Sequence, residues 1–211
     1  MDTVIRIPIL LLLSSLVVGL TSCEEEGELR IRNRTASDVW VSADGRPPHQ
    51  LEAESNWSLY YEQERTVTLS YNGNYVFPNT LSRLVRLNLV TTADIVPDGG
   101  VVRLLNDSAT GLTEVYISSA GDPNWGEDDL AGTLLPGENA LWTVTAGLWD
   151  IRVGDAEANY HYLYDQAVET NMTLELSLSA FGRNDRKTPS KQAESVAINR
   201  LRTENWRFHD S

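Results

Sequence analysis

A chain of 211 residues with 17 basic and 30 acidic side chains carries a formal net charge of −13. That balance excludes nucleic acid as a partner, because phosphate binding needs a basic footprint, and it opposes docking on anionic lipid headgroups. A single cysteine, Cys23, excludes an internal disulfide framework and a thiolate metal centre. The fold must therefore rest on ordinary apolar cores, with length for one domain or two small ones.

The chain opens with the three parts of a secretory signal. Arg6 supplies a thin basic start, Ile9 to Leu13 and Leu16 to Val18 an apolar stretch, and Gly19 to Ser22 a small or weakly polar exit. A transmembrane helix needs about 20 apolar residues. Here Pro8, Ser14, Ser15 and Gly19 interrupt a shorter run, and Glu24, Glu25 and Glu26 follow at once. Residues 1–22 therefore read as a removable signal. Leu20-Thr21-Ser22-Cys23 resembles the lipobox of bacterial lipoproteins. The resemblance implies that Leu20, Thr21 and Ser22 are read by the lipoprotein signal peptidase, and that Cys23 becomes the acylated first residue of the mature chain. Two or three acyl chains give stable anchoring where one does not. The implied location is the cell envelope, lipid-anchored to a bacterial membrane, the outer membrane favoured, on its periplasmic face or at the cell surface.

Residues 23–28 form an acidic tether, and strands follow. Leu29-Arg30-Ile31-Arg32 alternates apolar with polar, Asn33 to Asp38 reads as a turn, and Val39-Trp40-Val41 resumes the pattern. Asp44-Gly45-Arg46-Pro47-Pro48 is a strong turn signal. Trp57, Leu59 and Tyr61 then share a face, as do Val67, Leu69 and Tyr71. Asn72-Gly73 predicts a tight hairpin, and Val85, Leu87 and Leu89 predict a further strand.

Asp98-Gly99-Gly100 marks a junction beyond which the opening recurs. Leu29-Arg30-Ile31-Arg32-Asn33 lies against Val102-Arg103-Leu104-Leu105-Asn106, and Val39-Trp40-Val41 against Val115-Tyr116-Ile117. Glu54-Ser55-Asn56-Trp57 is echoed by Glu138-Asn139-Ala140-Leu141-Trp142. In the second copy Leu134-Leu135-Pro136-Gly137 and Gly147 predict turns. Trp149, Ile151 and Val153 point inward while Asp150 and Arg152 point out. Tyr160, Tyr162 and Tyr164 alternate with His161 and Leu163, and Leu174, Leu176 and Leu178 with Glu175 and Ser177. The expected fold is all-β: two consecutive antiparallel β-sandwich-like modules, a diverged repeat, at 29–97 and 98–182. Residues 183–211 carry a net charge of +3 and read as a basic, partly ordered tail with a short C-terminal helix begun by Thr188-Pro189. Trp206 and Phe208 could anchor a partner there.

Chemistry is sparse. His49, His161 and His209 have no metal-ligand spacing, and there is no nucleophile elbow or phosphate-cradling loop, so the chain reads as no enzyme and with no required cofactor. Asp122, Asn124, Glu127, Asp128 and Asp129 crowd oxygen ligands into one loop, as Ca2+ requires, but not at EF-hand spacing. The alternative is an exposed loop whose Trp125 folds back as a plug over the sandwich edge. Trp40, Tyr60, Tyr116 and Trp125 form a candidate aromatic platform for glycan, whereas Trp57, Trp142 and Trp149 share faces with aliphatic residues and read as core. Asn33-Arg34-Thr35 and Asn171-Met172-Thr173 match glycosylation sequons, which in a bacterial lipoprotein are coincidences. The first expectation is thus a structural or protein-interaction module of the envelope, attached to the membrane through its lipid and meeting another envelope protein. The second is a glycan-binding surface sandwich, and the third a hydrolase with a spatially assembled site.

Overall fold

The structure, a computed structural model, describes residues 25–184. The expected signal, Cys23 and most of the basic tail, with its expected helix, Trp206, Phe208 and His209, lie outside the described residues. The described chain is all-β, with no α-helix among those residues.

Seven strands precede residue 96: β1 (Gly27–Asn33), β2 (Val39–Ala43), β3 (His49–Leu51), β4 (Asn56–Tyr61), β5 (Arg65–Gly73), β6 (Val76–Val85) and β7 (Val90–Ile95). Seven follow it: β8 (Gly100–Leu105), β9 (Leu112–Ser119), β10 (Asn139–Val144), β11 (Gly147–Asp155), β12 (Tyr160–Val168), β13 (Thr173–Ser177) and β14 (Gly182–Asn184). The first set forms sheets β4-β1-β7 and β3-β2-β5-β6; the second forms β10-β8-β13 and β14-β12-β11-β9. The repeat is thus topological. In each copy the opening strand pairs antiparallel with one neighbour and parallel with the last long strand, β1 with β4 and β7, β8 with β10 and β13. These two parallel pairs are the exceptions to an otherwise antiparallel architecture.

Period-2 alternation drives each sheet to bury one face. Leu29 and Ile31 on β1 pack with Val39, Val41, Val67, Leu69, Ala93 and Ile95 in one core. Val102 and Leu104 pack with Val115, Ile151, Val153 and Leu176 in the other. Each fully buried Leu, Ile or Val contributes about 1.5–3 kcal/mol relative to exposure. Trp57, Trp142 and Trp149 are half-buried against these cores.

Three local readings are corrected. Gly73 still pairs with Val76, so the hairpin is made by Asn74-Tyr75, after a bulge between Tyr71 and Gly73. Gly73 is required for space instead: a Cβ there would lie 2.9 Å from Val39 Cγ1 and 3.0 Å from the Asp38 carbonyl oxygen. Residues 86–89 form a turn with Asn88 at φ 59°, because the chain must leave one sheet and enter the other beside β1. The tryptophan echo is out of register by two residues. Trp57 lies opposite Ile31, but Trp142 lies opposite Val102, the counterpart of Leu29. A shift of two preserves the face, so both rings still reach a core.

The repeat is pinned at two equivalent places. Gly27 and Gly100 begin the opening strands where backbone crosses closely: a Cβ would lie 2.4 Å from the Arg86 carbonyl oxygen in one copy and 2.2 Å from that of Glu169 in the other. Asn33 and Asn106 end those strands fully buried. Asn33 Nδ2 donates to the carbonyls of Ser37, Leu51 and Glu52 at 2.8, 3.1 and 2.9 Å, and its Oδ1 accepts from Thr35 N. Asn106 Nδ2 donates to Thr110 and Leu134 carbonyls, both at 2.9 Å, and its Oδ1 accepts from Ser108 N and Oγ. The Asn-x-Thr and Asn-x-Ser triplets are therefore turn locks. Removing either amide strands buried carbonyls, so Asn106→Ala should lower stability by about 2–3 kcal/mol in urea titration, whereas the exposed Asn124→Ala should stay within about 0.5 kcal/mol.

Polar contacts join the copies. Asn171 Oδ1 accepts from Ala36 N at 2.7 Å, Tyr75 and Thr173 hydroxyls lie 2.8 Å apart, and Thr143 Oγ1 donates to the Asn74 carbonyl at 2.9 Å. Thr143 and Thr173 both flank Val101 in register. Val101, on the outer face of its sheet between these two threonines, is 1 % exposed.

Candidate functional site

The outer faces of the two four-stranded sheets carry the molecule's distinctive chemistry, and they have diverged. On the second, alternation sets Glu114 and Tyr116 of β9, Asp150 and Arg152 of β11, and Tyr160, Tyr162 and Tyr164 of β12 on the side away from the core. Arg152 lies opposite Tyr116 on one side and Tyr162 on the other. Asp150 and Arg152 were expected in solvent; instead they are 4 % and 6 % exposed. The reason is a lid that strand periodicity does not encode. Residues 120–130 fold over this face and bring in Trp125, itself 7 % exposed.

The Arg152 guanidinium carbon sits 4.1 Å from the centre of the Tyr116 ring, 5.0 Å from Tyr160 and 5.3 Å from Trp125. Nε of Arg152 is buried without a hydrogen-bond partner among the described residues. The electron-rich ring faces stand in for the acceptor that Nε lacks, since a desolvated cation–π contact is worth about 2 kcal/mol. Glu114 Oε2 accepts from both the Tyr116 and Tyr160 hydroxyls at 3.1 Å. Burial pushes both phenols up, and the Glu114 carboxylate adds to it, so they remain donors at neutral pH. Gly154 leaves room for this bridge: a Cβ would lie 3.2 Å from Tyr160 Cε1 and 3.3 Å from Glu114 Cβ. The result is an aromatic and ionic layer, buried at Arg152, Trp125 and Tyr162 and half-buried at its rim.

At the end of β11 Asp155, 7 % exposed, accepts from the backbone of Glu157 and Asn159, both at 2.9 Å, and from His161 Nε2 at 3.2 Å. Burial works against its charge, yet the bonds from Asn159, His161 and Glu157 hold its carboxyl below the ordinary value. A depressed folded pKa contributes stability that is fully present above the unfolded value, near pH 4, and is lost as pH falls through the folded one. Thermal melts of the wild type should therefore decline on acidification below about pH 4, and Asp155→Asn should lose part of that dependence.

The acidic loop does not assemble a cation site. Asp122 Oδ1 accepts from Asn124 N, Asp128 Oδ1 from Val115 N and Leu130 N, and Asp129 Oδ2 from Ile117 N. Asp128 and Asp129 thereby cap N–H groups along the free edge of β9, which protects an edge strand from foreign pairing. Glu127 is exposed. Among the described residues no three His, Cys, Asp or Glu side chains converge as a metal site would need.

Nor do the four expected platform aromatics converge. Tyr116 is half-buried against Arg152, and Trp125 is closed in between Tyr162 and Tyr164, with ring centres 6.0 Å from each. Tyr60, 62 % exposed, is on β4, and Trp40, 48 % exposed, is on β2 in the facing sheet. His49 stacks on Trp57 at 4.4 Å. Sequence reasoning missed Arg152, Glu114 and Asp155. A cation at the centre of a strand whose neighbour reads Tyr-x-Tyr-x-Tyr was the available signal.

On the first module the equivalent face is open. Trp40 lies opposite Asn72, Ser42 opposite Ser70, and Ser70 opposite Thr80, and no loop among the described residues covers them. They line an open depression of ≈ 450 Å³.

No family model matches the chain, and no curated protein matches it. Among solved structures it is similar to the Bacillus anthracis TIE protein, at 9% identity over 72% of this chain and 33% of that chain, TM-score 0.29. It is also similar to GBS52, the minor pilin of Streptococcus agalactiae, at 10% identity over 78% of this chain and 98% of that one, TM-score 0.28. A DUF3823 family protein from Bacteroides ovatus shows 13% identity over 66% and 97%, TM-score 0.25. With TM-scores below 0.3, none of these likenesses bears on what this chain binds or does.

Proposed function

We propose that the chain is a non-catalytic module of a bacterial cell envelope, held by lipid on Cys23, that presents two joined β-sandwiches to another envelope protein. The observation that carries this reading is the joint between the copies. Ala36 with Asn171, Tyr75 with Thr173 and Thr143 with Asn74 spend polar groups on fixing one sandwich against the other. A module that displays a surface needs such fixed orientation. The most unusual cluster, around Arg152, is likewise spent on stability, sealed under Trp125. The lipobox-like Leu20-Thr21-Ser22-Cys23 stands just before β1, with Glu24, Glu25 and Glu26 between, which would hold the first sandwich close to the membrane. Among the described residues no helix is long and apolar enough to cross a membrane.

Fractionation of cells expressing the wild type and Cys23→Ala tests the reading. The wild type should sediment with membranes and be released by detergent, and the variant should move to the soluble fraction. A wild type that is soluble without detergent, or a variant that stays membrane-bound, would contradict it. Proteinase K added to intact cells then separates the two faces: digestion means the surface, protection the periplasmic side.

A further inference from the structure

From the open outer face of the first module we infer a binding site for neutral carbohydrate, centred on Trp40. The site is built by strand register. Trp40 and Ser42 of β2, Ser70 and Asn72 of β5 and Thr80 of β6 stand side by side on three adjacent strands, facing away from the core. Together with Pro48 they line the ≈ 450 Å³ depression, whose volume suits one or two sugar rings. Its chemistry is that of a sugar's two sides. The indole, 48 % exposed, offers a flat apolar surface to the C–H face of a pyranose ring. Hydroxyls and an amide beside it can both donate and accept, as sugar hydroxyls require. Ser42 Oγ donates to the Arg46 carbonyl and keeps its lone pairs, whereas Ser70, Asn72 and Thr80 make no side-chain hydrogen bond with any described residue. Every residue lining the depression is uncharged. In a chain of formal net charge −13, that leaves nothing to attract an anion or to pair with a cation, and it selects a neutral ligand.

The second module shows what the same position looks like when closed. Tyr116, which aligns with Trp40, faces Arg152 rather than asparagine, and Trp125 covers the pair. The first module keeps the aromatic ring but, among the described residues, has neither a guanidinium opposite it nor a lid over it. This site goes beyond the envelope role proposed above and does not depend on the lipid.

Native affinity electrophoresis of the purified mature protein tests it, in gels containing galactomannan, β-1,3-glucan or arabinoxylan, with polygalacturonate as the acidic comparison. At least one neutral polysaccharide should retard the wild type, and polygalacturonate should not. Trp40→Ala should weaken the retardation constant at least about tenfold. Asn72→Arg, at an exposed position, places a guanidinium opposite Trp40 as Arg152 stands opposite Tyr116, and should abolish retardation with the fold intact by far-UV circular dichroism. Tyr60→Ala, on the other sheet, should bind as wild type. The site is refuted by no retardation in any neutral gel, by retardation in polygalacturonate alone, or by wild-type retardation of both folded variants.

Discussion

Gly100→Ala should destabilise the second module by about 3 kcal/mol, the upper end of the usual overpacking cost. The added methyl would lie 2.2 Å from the Glu169 carbonyl oxygen and 2.6 Å from Val168 Cγ1. The first of these is backbone, fixed by the turn before β13, and cannot rotate away as a flexible side chain could. Two comparisons separate crowding from backbone strain. Gly45 has φ 71° with nothing within 4 Å, so Gly45→Ala should cost only about 1 kcal/mol. Gly121 has open space and no positive φ, so Gly121→Ala should fall within about 0.5 kcal/mol of wild type. Urea titration followed by tryptophan fluorescence reads all three. A cost at Gly100 as small as that at Gly121 would mean that close approach does not explain the opening glycine of each repeat.

Arg152→Ala should cost about 3–4 kcal/mol, the largest single side-chain loss expected in the second module. It removes cation–π contacts with Tyr116, Trp125 and Tyr160 and opens a cavity under the Trp125 lid. Arg152→Lys keeps the charge but loses the planar stacking group, and should cost about 1–2 kcal/mol. If Arg152 were a surface residue, as strand alternation alone implies, both substitutions would be near neutral. Thermal melts and the emission maximum of Trp125, which should shift to the red as the lid loosens, distinguish the cases.

Much of the fold was legible because half-buried strands write their burial as alternation. Leu29 and Ile31, Val67 and Leu69, and Ile151 and Val153 announce their faces, and the Asn33 and Asn106 registers mark the repeat. What escaped reading depends on residues distant in the chain. The parallel β1–β7 pairing leaves no periodic trace, because a parallel and an antiparallel neighbour demand the same alternation. The hairpin at Asn74-Tyr75 was displaced from Asn72-Gly73 by a bulge, and Gly73 answers a steric demand from Val39 rather than a turn. Asp150 and Arg152 read as exposed because their cover, Trp125, comes from a loop on the far side of β10. The same limit governed the candidate site. Residue type nominated Trp40, Tyr60, Tyr116 and Trp125 alike, and only their placement separates the open ring of Trp40 from the sealed Trp125.

Attachment through Cys23 is the claim on which the envelope role stands. Mass spectrometry of the N-terminal peptide, from protein extracted with detergent out of the native membrane, tests it directly. The account predicts a mature chain beginning at Cys23 and carrying a thioether-linked diacylglycerol. A chain that begins elsewhere, or a Cys23 with a free thiol, would contradict it.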